Sequence, residues 1–532
     1  MASACPATAG PPAKGASSAR IISAMTTPEF KTVGIVGCGA MGQGIAQLVA
    51  QAGARVRLFD AAPGAAERAH DAIAALWDKL ERKGKAPYSA DQVAAYKQRL
   101  LPAAALADLA DCELVVEAIV ERLDVKQQVL AELENLLAAD AVLATNTSSL
   151  SVTAIAAALQ DPARLAGYHF FNPAPLMKVV EVVAGLKTRE AVCDRLATFA
   201  QQMGHTPVRA GDTPGFIVNH AGRGYSTEAL QVVGEGVADF ATVDRILTDQ
   251  IGFRLGPFAL FDLTALDVSH PAMEAIFRQY YGDPRYRPSV ITAQRLAAGV
   301  LGRKTGAGFY EYVDGVQQVP PEPPVPQLAS LLPVWVSPQA ERHAELRKLL
   351  QDLDADVEAG PRPSADALIL VAPLGTDITT TALAERLDPA RTVGVDLLAA
   401  DADTRRRVLA TSPATAVATR DAAHALLAAD GKPVSVINDS FGFVTQRVIA
   451  TIVNIASEMC QQRVCSPEDL DTAVRLGLGY PMGPLAMGDH FGAARILRIL
   501  DQMLAGSGDP RYRASPWLRR RAALGMSLKA GQ

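Results

Sequence analysis

From Lys31 onward, short runs of β-branched and apolar residues alternate with longer stretches whose apolar positions recur at helical spacing. TVGIV (32–36), RVRLF (55–59), ELVVEA (113–118), AVLAT (141–145) and RLAGYHF (164–170) read as strands. This alternation predicts a parallel sheet covered by helices. Beyond Asp212 the texture changes to helical segments without clear strands, running to about Tyr312. VPPEPPVP (319–326) is then too proline-dense for helix or sheet and reads as a semi-rigid linker.

The chain after the linker repeats the chain before it in weakened form. Asp212, Gly215, Phe216, Asp244, Gly252, Gly256, Pro257 and Asp262 recur as Asp439, Gly442, Phe443, Asp471, Gly479, Gly483, Pro484 and Asp489, each 227 residues on (439 − 212). GDPRYR at 282–287 returns at 508–513 after a one-residue slip, and Arg164 and Gly167 match Arg391 and Gly394 at the 227 spacing. One offset held across so many positions points to an internal duplication.

At 532 residues the chain exceeds what one hydrophobic core can organise, and 49% hydrophobic against 20% charged residues suits a multidomain globular protein. A net charge of −5 without a long basic run argues against nucleic acid as a partner. Six scattered cysteines, with no CxxC pair and no zinc-like spacing, suggest neither a disulfide framework nor a metal site, and fit a reducing cytoplasm. No apolar run approaches the ~18 residues of a membrane span. Residues 1–30 read as a disordered tail: the first 28 are rich in Ala, Ser, Gly and Pro, carry Lys14 and Arg20 without an acid, and lack a signal-peptide core, with Met25 a candidate initiator.

After the first strand comes Gly37-Cys38-Gly39-Ala40-Met41-Gly42, followed by Gly44 and the helical run IAQLVAQAG. The first glycine permits the tight turn and the second lets the backbone approach a pyrophosphate. The third packs helix on strand, and the helix N-terminus faces the anion. The next strand ends in Asp60, 23 residues past Gly37, where a carboxylate accepts hydrogen bonds from ribose hydroxyls and repels a 2′-phosphate. The cofactor expected is therefore NAD. The organisation becomes an α/β Rossmann domain (31–211), an all-α helical domain (212–312), a Pro-rich linker (313–335), a degenerate Rossmann-like segment (336–438) without a glycine loop, and a second helical domain (439–532).

His169 ends the strand RLAGYHF and leads into a loop containing Asn172, which places it at the crevice where such sheets bind ligands. Twelve residues on, Glu181 interrupts the apolar strand MKVVEVVAG, where a buried carboxylate needs a partner. Alone, each is more often a satisfied structural residue. Together they suggest a base whose ring is oriented by a carboxylate, free to take a hydroxyl proton while the carbon hydrogen leaves as hydride.

The runs GIVGCGAMGQGIAQ, VVEAIVERLDVK, NTSSLSVTAIA, GYHFFNPAPLMKVVEV and DTPGFIVN resemble, in order and spacing, the 3-hydroxyacyl-CoA dehydrogenases over about residues 31–312. The resemblance implies NAD-dependent oxidation of an (S)-3-hydroxyacyl-CoA, with His169 as general base, Glu181 its orienting partner, and Ser148 and Asn219 at the substrate oxygen. It further implies Asn172 in the same pocket and Glu121 and Lys126 beside the nicotinamide. Cations for coenzyme A are offered by Lys79, Arg82, Lys83 and Lys85, with Lys83 the first choice and a solvated helix end the competing reading. His220 departs from the arginine that short members carry after the asparagine.

Residues 336–532 resemble the extra half of the long, two-half bacterial members, which act on 3-hydroxybutyryl-CoA or 3-hydroxyadipyl-CoA in fatty acid or phenylacetate breakdown. Arg223, four residues after Asn219 and so on the same helix face, is a candidate for a terminal acyl carboxylate; a surface or interface charge is the alternative. At the 227 offset His169 falls on Asp396, Glu181 on Val408, Ser148 on Gly375 and Asn219 on Gln446. The second half therefore lacks every catalytic side chain and is expected to be structural. Its helical copy either pairs with the first within the chain, imitating the dimer of short members, or joins a homodimer. Dehydrogenases that rely on a lysine in the helical part are disfavoured, since no lysine lies between Lys187 and Lys304. A non-catalytic NAD-binding relative is disfavoured by the intact Ser148, His169, Glu181 and Asn219.

Overall fold

The computed structural model describes residues 27–84, 88–327, 332–400 and 404–531. Most of the expected tail, Met25 and Lys85 lie outside them.

An eight-stranded sheet has the order β3-β2-β1-β4-β5-β6-β7-β8. Its strands are β1 (Thr32–Val36), β2 (Arg55–Phe59), β3 (Leu100–Pro102), β4 (Leu114–Glu117), β5 (Val142–Thr145), β6 (Leu165–Phe170), β7 (Val179–Ala184) and β8 (Thr206–Gly211). β1, β4, β5 and β6 are buried along their whole length, because helices cover both faces of the sheet, and this is why their sequences read as apolar runs. The expectation of a parallel sheet holds through β6 and then fails. β7 pairs with β6 antiparallel, and β8 runs parallel to β7. The reason is length: residues 171–178, holding Pro173 and Pro175, are too few for the crossover of about a dozen residues that a parallel return needs.

The helices that follow begin with Val218–Ala221 and Arg223–Gly234. Local chemistry ends and starts them. Asp239 caps Phe240–Ile251 by accepting from Thr242 N, and Gly252 stops that helix at φ +83°. Two short strands then form a hairpin, β9 (Glu311–Val313) and β10 (Val316–Gln318), overlapping the start of the stretch expected to be linker. Asp314-Gly315 makes the turn with φ of 50° and 76°, the pairing that a two-residue hairpin loop favours. The prolines beyond are tied down: Arg245 donates to the Pro320 carbonyl, and Glu322 accepts from Arg406 at 2.5 and 3.2 Å.

The second sheet, β11 (Val334–Val336), β12 (Leu368–Val371), β13 (Thr392–Val395), β14 (Arg407–Thr411) and β15 (Val434–Asn438), is five-stranded in that order. It repeats the later part of the first sheet, including the reversal: β13 and β14 are antiparallel, and Gly167 opposite Val183 recurs as Gly394 opposite Ala410. Asp212 and Asp439 do the same work, accepting from the backbone of Val152 and Thr153 and of Ile378 and Thr379.

Helix Val444–Gln461 is buried nearly all round and runs through the middle of the helical half, packed against Arg223–Gly234, its own counterpart in the repeat. The backbones approach so closely that a Cβ on Gly224 would lie 2.9 Å from Ile452 Cα. Contacts across this face are reciprocal: Arg285 donates to the Arg513 carbonyl and Arg511 to the Pro284 carbonyl. At its centre Glu228, with no exposed surface, accepts from Arg447 Nε at 2.7 Å and Tyr512 Oη at 3.0 Å, with Arg511 Nη1 at 3.5 Å. Among the described residues, no helix is long and apolar enough to cross a membrane.

Candidate active site

The glycine loop sits where β1 hands the chain to helix Ala40–Gln51. Gly37 adopts φ +101°, and a Cβ there would meet the Ala118 carbonyl at 2.5 Å. A Cβ on Gly42 would lie 1.8 Å from the Gly37 carbonyl oxygen, so helix and loop touch through backbone alone. At Gly39 a Cβ would meet nothing within 4 Å, and no side chain caps the helix. Open space above uncapped first-turn N–H groups suits an anionic pyrophosphate. Asp60, at the end of β2, accepts from Cys38 N at 2.7 Å and Ala62 N at 2.9 Å, which places its carboxylate against this loop. Met41 is half-buried against the sheet core. These residues fit NAD. Gly42→Ala is expected to cost about 1–3 kcal/mol through overpacking and to shrink the rise in melting temperature that NAD produces; an unchanged thermal shift would contradict the role given to this contact.

Beside the loop lies a polar cluster that sequence reasoning saw only in part. Glu117, fully buried at the end of β4, accepts from Lys126 Nζ at 2.6 Å, Thr145 Oγ1 at 2.7 Å and Ile119 N at 2.7 Å. Lys126, 1% exposed, also pairs with Glu121 at 3.2 Å. Glu121 Oε1 in turn accepts from Thr147 Oγ1, Ser148 N, Ser149 N and Ser149 Oγ, at 2.6 to 3.1 Å. Burial pushes the Glu121 carboxyl upward, but these donors and the Lys126 charge outweigh it and hold the group below its usual range. Lys126 is thus a buried support behind Glu121. Glu117 carried the same signal as Glu181, an acid within an apolar strand.

His169 and Glu181 face each other directly across β6 and β7, and His169 Nδ1 lies 2.5 Å from Glu181 Oε2. The other oxygen of Glu181 accepts from Ile217 N at 2.9 Å and Val218 N at 2.8 Å, at the start of helix Val218–Ala221. Gly215 and Phe216, at φ +79° and +48°, bend the chain into this approach. Phe171 and Phe216 flank the imidazole edge-on at 4.5 and 5.7 Å. His169 Nε2 has no hydrogen-bond partner among the described residues. Ser148 is exposed on the loop held by Glu121, Asn172 is exposed just after β6, and Asn219 is half-buried one residue beyond Val218. Lys79, Arg82 and Lys83 are exposed at the end of helix Ala65–Arg82, and no hydrogen bond links them to the site.

His220 is not a second base. It is fully buried between Tyr286, 2.7 Å from its Nε2, and Tyr280, 3.1 Å from its Nδ1. Burial, reinforced by the charges of Arg223 and Arg285, lowers its pKa to about 3. Arg223 donates from Nε to the Asn219 carbonyl at 2.9 Å, which puts it one turn beyond Asn219.

The corresponding place in the second half is filled by protein. Gln446 accepts from Gly375 N at 2.8 Å and donates to Asp396 at 3.0 Å, so the counterparts of Asn219, Ser148 and His169 hydrogen-bond one another. A Cβ on Gly375 would lie 2.6 Å from Ile499 Cα, because helix Ala493–Ser507 fills the space above. Burial raises the pKa of Asp396 to about 6.

Residues 32–213 match the NAD binding domain of 3-hydroxyacyl-CoA dehydrogenase, and residues 215–312 and again 442–532 match its C-terminal domain. The chain belongs to the 3-hydroxyacyl-CoA dehydrogenase family and is an NAD-dependent oxidoreductase. It is 37% identical to the 3-hydroxyadipyl-CoA dehydrogenase of Escherichia coli, over 93% of this chain and 98% of that one. A probable 3-hydroxybutyryl-CoA dehydrogenase of Deinococcus radiodurans is 39% identical over 52% of this chain and 99% of its own length. The crystal structure of an Escherichia coli 3-hydroxybutyryl-CoA dehydrogenase superposes with a TM-score of 0.82 at 34% identity, covering 93% of this chain and 98% of that one.

Proposed function

We propose that the enzyme oxidises (S)-3-hydroxyacyl-CoA to 3-oxoacyl-CoA with His169 as general base, in the cytoplasm, in fatty acid or phenylacetate breakdown. The observation that carries this is the His169–Glu181 pair at the cleft end of β6. Glu181 fixes Nδ1 and leaves Nε2 to take the proton of the 3-hydroxyl. Ser148 and Asn219 hold the substrate oxygen, and Asn172 shapes the pocket beside them. NAD, held by Gly37, Gly39, Met41, Gly42 and Asp60, supplies the acceptor for the hydride that leaves C3. Glu121, backed by Lys126, keeps the Thr147–Ser149 loop in place against the cofactor end of the cleft. Lys83 meets the coenzyme A phosphates from the helix end. The substrates named for the relatives, 3-hydroxyadipyl-CoA and 3-hydroxybutyryl-CoA, are the two to try. NADH formation followed by its near-ultraviolet absorbance tests the reading; no NADH with either substrate would overturn it.

The second half acts as a built-in partner: its helical unit covers the face of Arg223–Gly234 that would otherwise seek a second chain. A chain ending at Gly315 is expected to self-associate through that helix. A monomeric fragment of full activity, seen by sedimentation and rate together, would contradict this.

A further inference from the structure

Two polar atoms near each other are buried without a partner, Arg223 Nη1 and Tyr480 Oη, each close enough for the charge of one to act on the other. Arg223 makes one hydrogen bond, from Nε to the Asn219 carbonyl, and no carboxylate pairs with it among the described residues. Tyr480 is 4% exposed, its ring wedged against Phe253 at 4.9 Å and Tyr225 at 5.7 Å. A desolvated guanidinium left unpaired is costly, and so is a buried hydroxyl without a hydrogen bond. That two such groups lie together is the mark of a site completed by a ligand.

Placement says which ligand. Side chains on a helix lean toward its N-terminus, so Arg223 points back to Asn219 and to the Val218 end that binds Glu181. The segment carrying Tyr480 lies over the same end. A Cβ on Gly477 would lie 3.0 Å from Val218 Cγ2 and 3.5 Å from Val179 Cγ1, and one on Gly222 would lie 3.2 Å from Leu478 Cδ1. Neither group is shared by the repeat, since at the 227 offset Arg223 falls on Ala450 and Tyr480 on Phe253. The pair therefore forms once, with one residue from each half.

We propose that Arg223 and Tyr480 form the acyl-end subsite, both donating to a carboxylate at the far end of the acyl chain, so that the second half completes the substrate site of the first. Charge-assisted donors of this kind give selectivity for a dicarboxylic acyl chain over a plain one of equal length. The inference rests on the reading of His169 as the base acting on a 3-hydroxyacyl-CoA.

The test compares kcat/KM for 3-hydroxyadipyl-CoA and 3-hydroxyhexanoyl-CoA, which differ at the chain end, in the unmodified enzyme, Tyr480→Phe and Arg223→Gln. The adipyl to hexanoyl ratio is expected to exceed unity and to fall about tenfold in Tyr480→Phe and more in Arg223→Gln, as the loss of a hydrogen bond to a charged group predicts. NAD affinity, measured in parallel, reports whether each variant is folded; if Arg223→Gln is not, Tyr480→Phe alone decides. Equal loss on both substrates in Tyr480→Phe, or no preference in the unmodified enzyme, would overturn the inference while leaving the reaction standing. No oxidation of either substrate would instead overturn the underlying reading, and this inference with it.

Discussion

Replacing His169 with Gln is expected to lower kcat by roughly 10²–10⁴-fold, the range for loss of a general base. Glutamine is close in size to histidine, and its amide can still donate to Glu181, so β6 and β7 keep their pairing. What disappears is the ring nitrogen that takes the hydroxyl proton, since an amide is not basic at neutral pH. Affinity for NAD, measured by binding rather than turnover, is expected to stay near that of the unmodified enzyme, because the glycine loop and Asp60 lie on other strands. A fall in kcat of less than about tenfold would place the base elsewhere.

The largest stability effect is expected from Glu228→Ala. Glu228 is fully buried between the helical units and accepts from Arg447, Arg511 and Tyr512. Removing one partner of a buried pair leaves the other charge desolvated, at a cost of about 3–5 kcal/mol. Arg447 keeps Glu235 and Ser440, at 2.5 and 2.9 Å from Nη1, which draws the expectation toward the lower end of that range. The control is Asp501→Ala, which breaks the pair with Arg519 at the surface and should cost no more than about 1 kcal/mol. Denaturant unfolding monitored on the helical units would refute the role of Glu228 if the two variants proved equally stable.

The first expectation was legible in the residues alone, whereas nothing in the sequence singles out Glu228. A buried acid in an apolar strand demands a partner, so Glu181 could be matched to His169 before any contact was known. The same demand at Glu117 is met by Lys126, which sits on a helix, so the strand itself does not name the partner. Arg223 was recognised as a charge on the Asn219 face, but its companion Tyr480 lies 257 positions away (480 − 223) and nothing local joins them.

By itself the sequence determined the glycine loop, the acid Asp60 at the end of the second strand, the strand-and-helix alternation, the duplication and the absence of counterparts to His169, Glu181, Ser148 and Asn219 in its second copy. Each of these is written within one turn, one period or one fixed offset. The tertiary structure alone decided the joining of Glu117, Lys126 and Glu121 into one cluster, the closing of the second site by Gln446, Asp396 and Ile499, and the approach of Arg223 to Tyr480. These depend on which distant surfaces exclude water together, and neither periodicity nor turn chemistry within a segment carries that information.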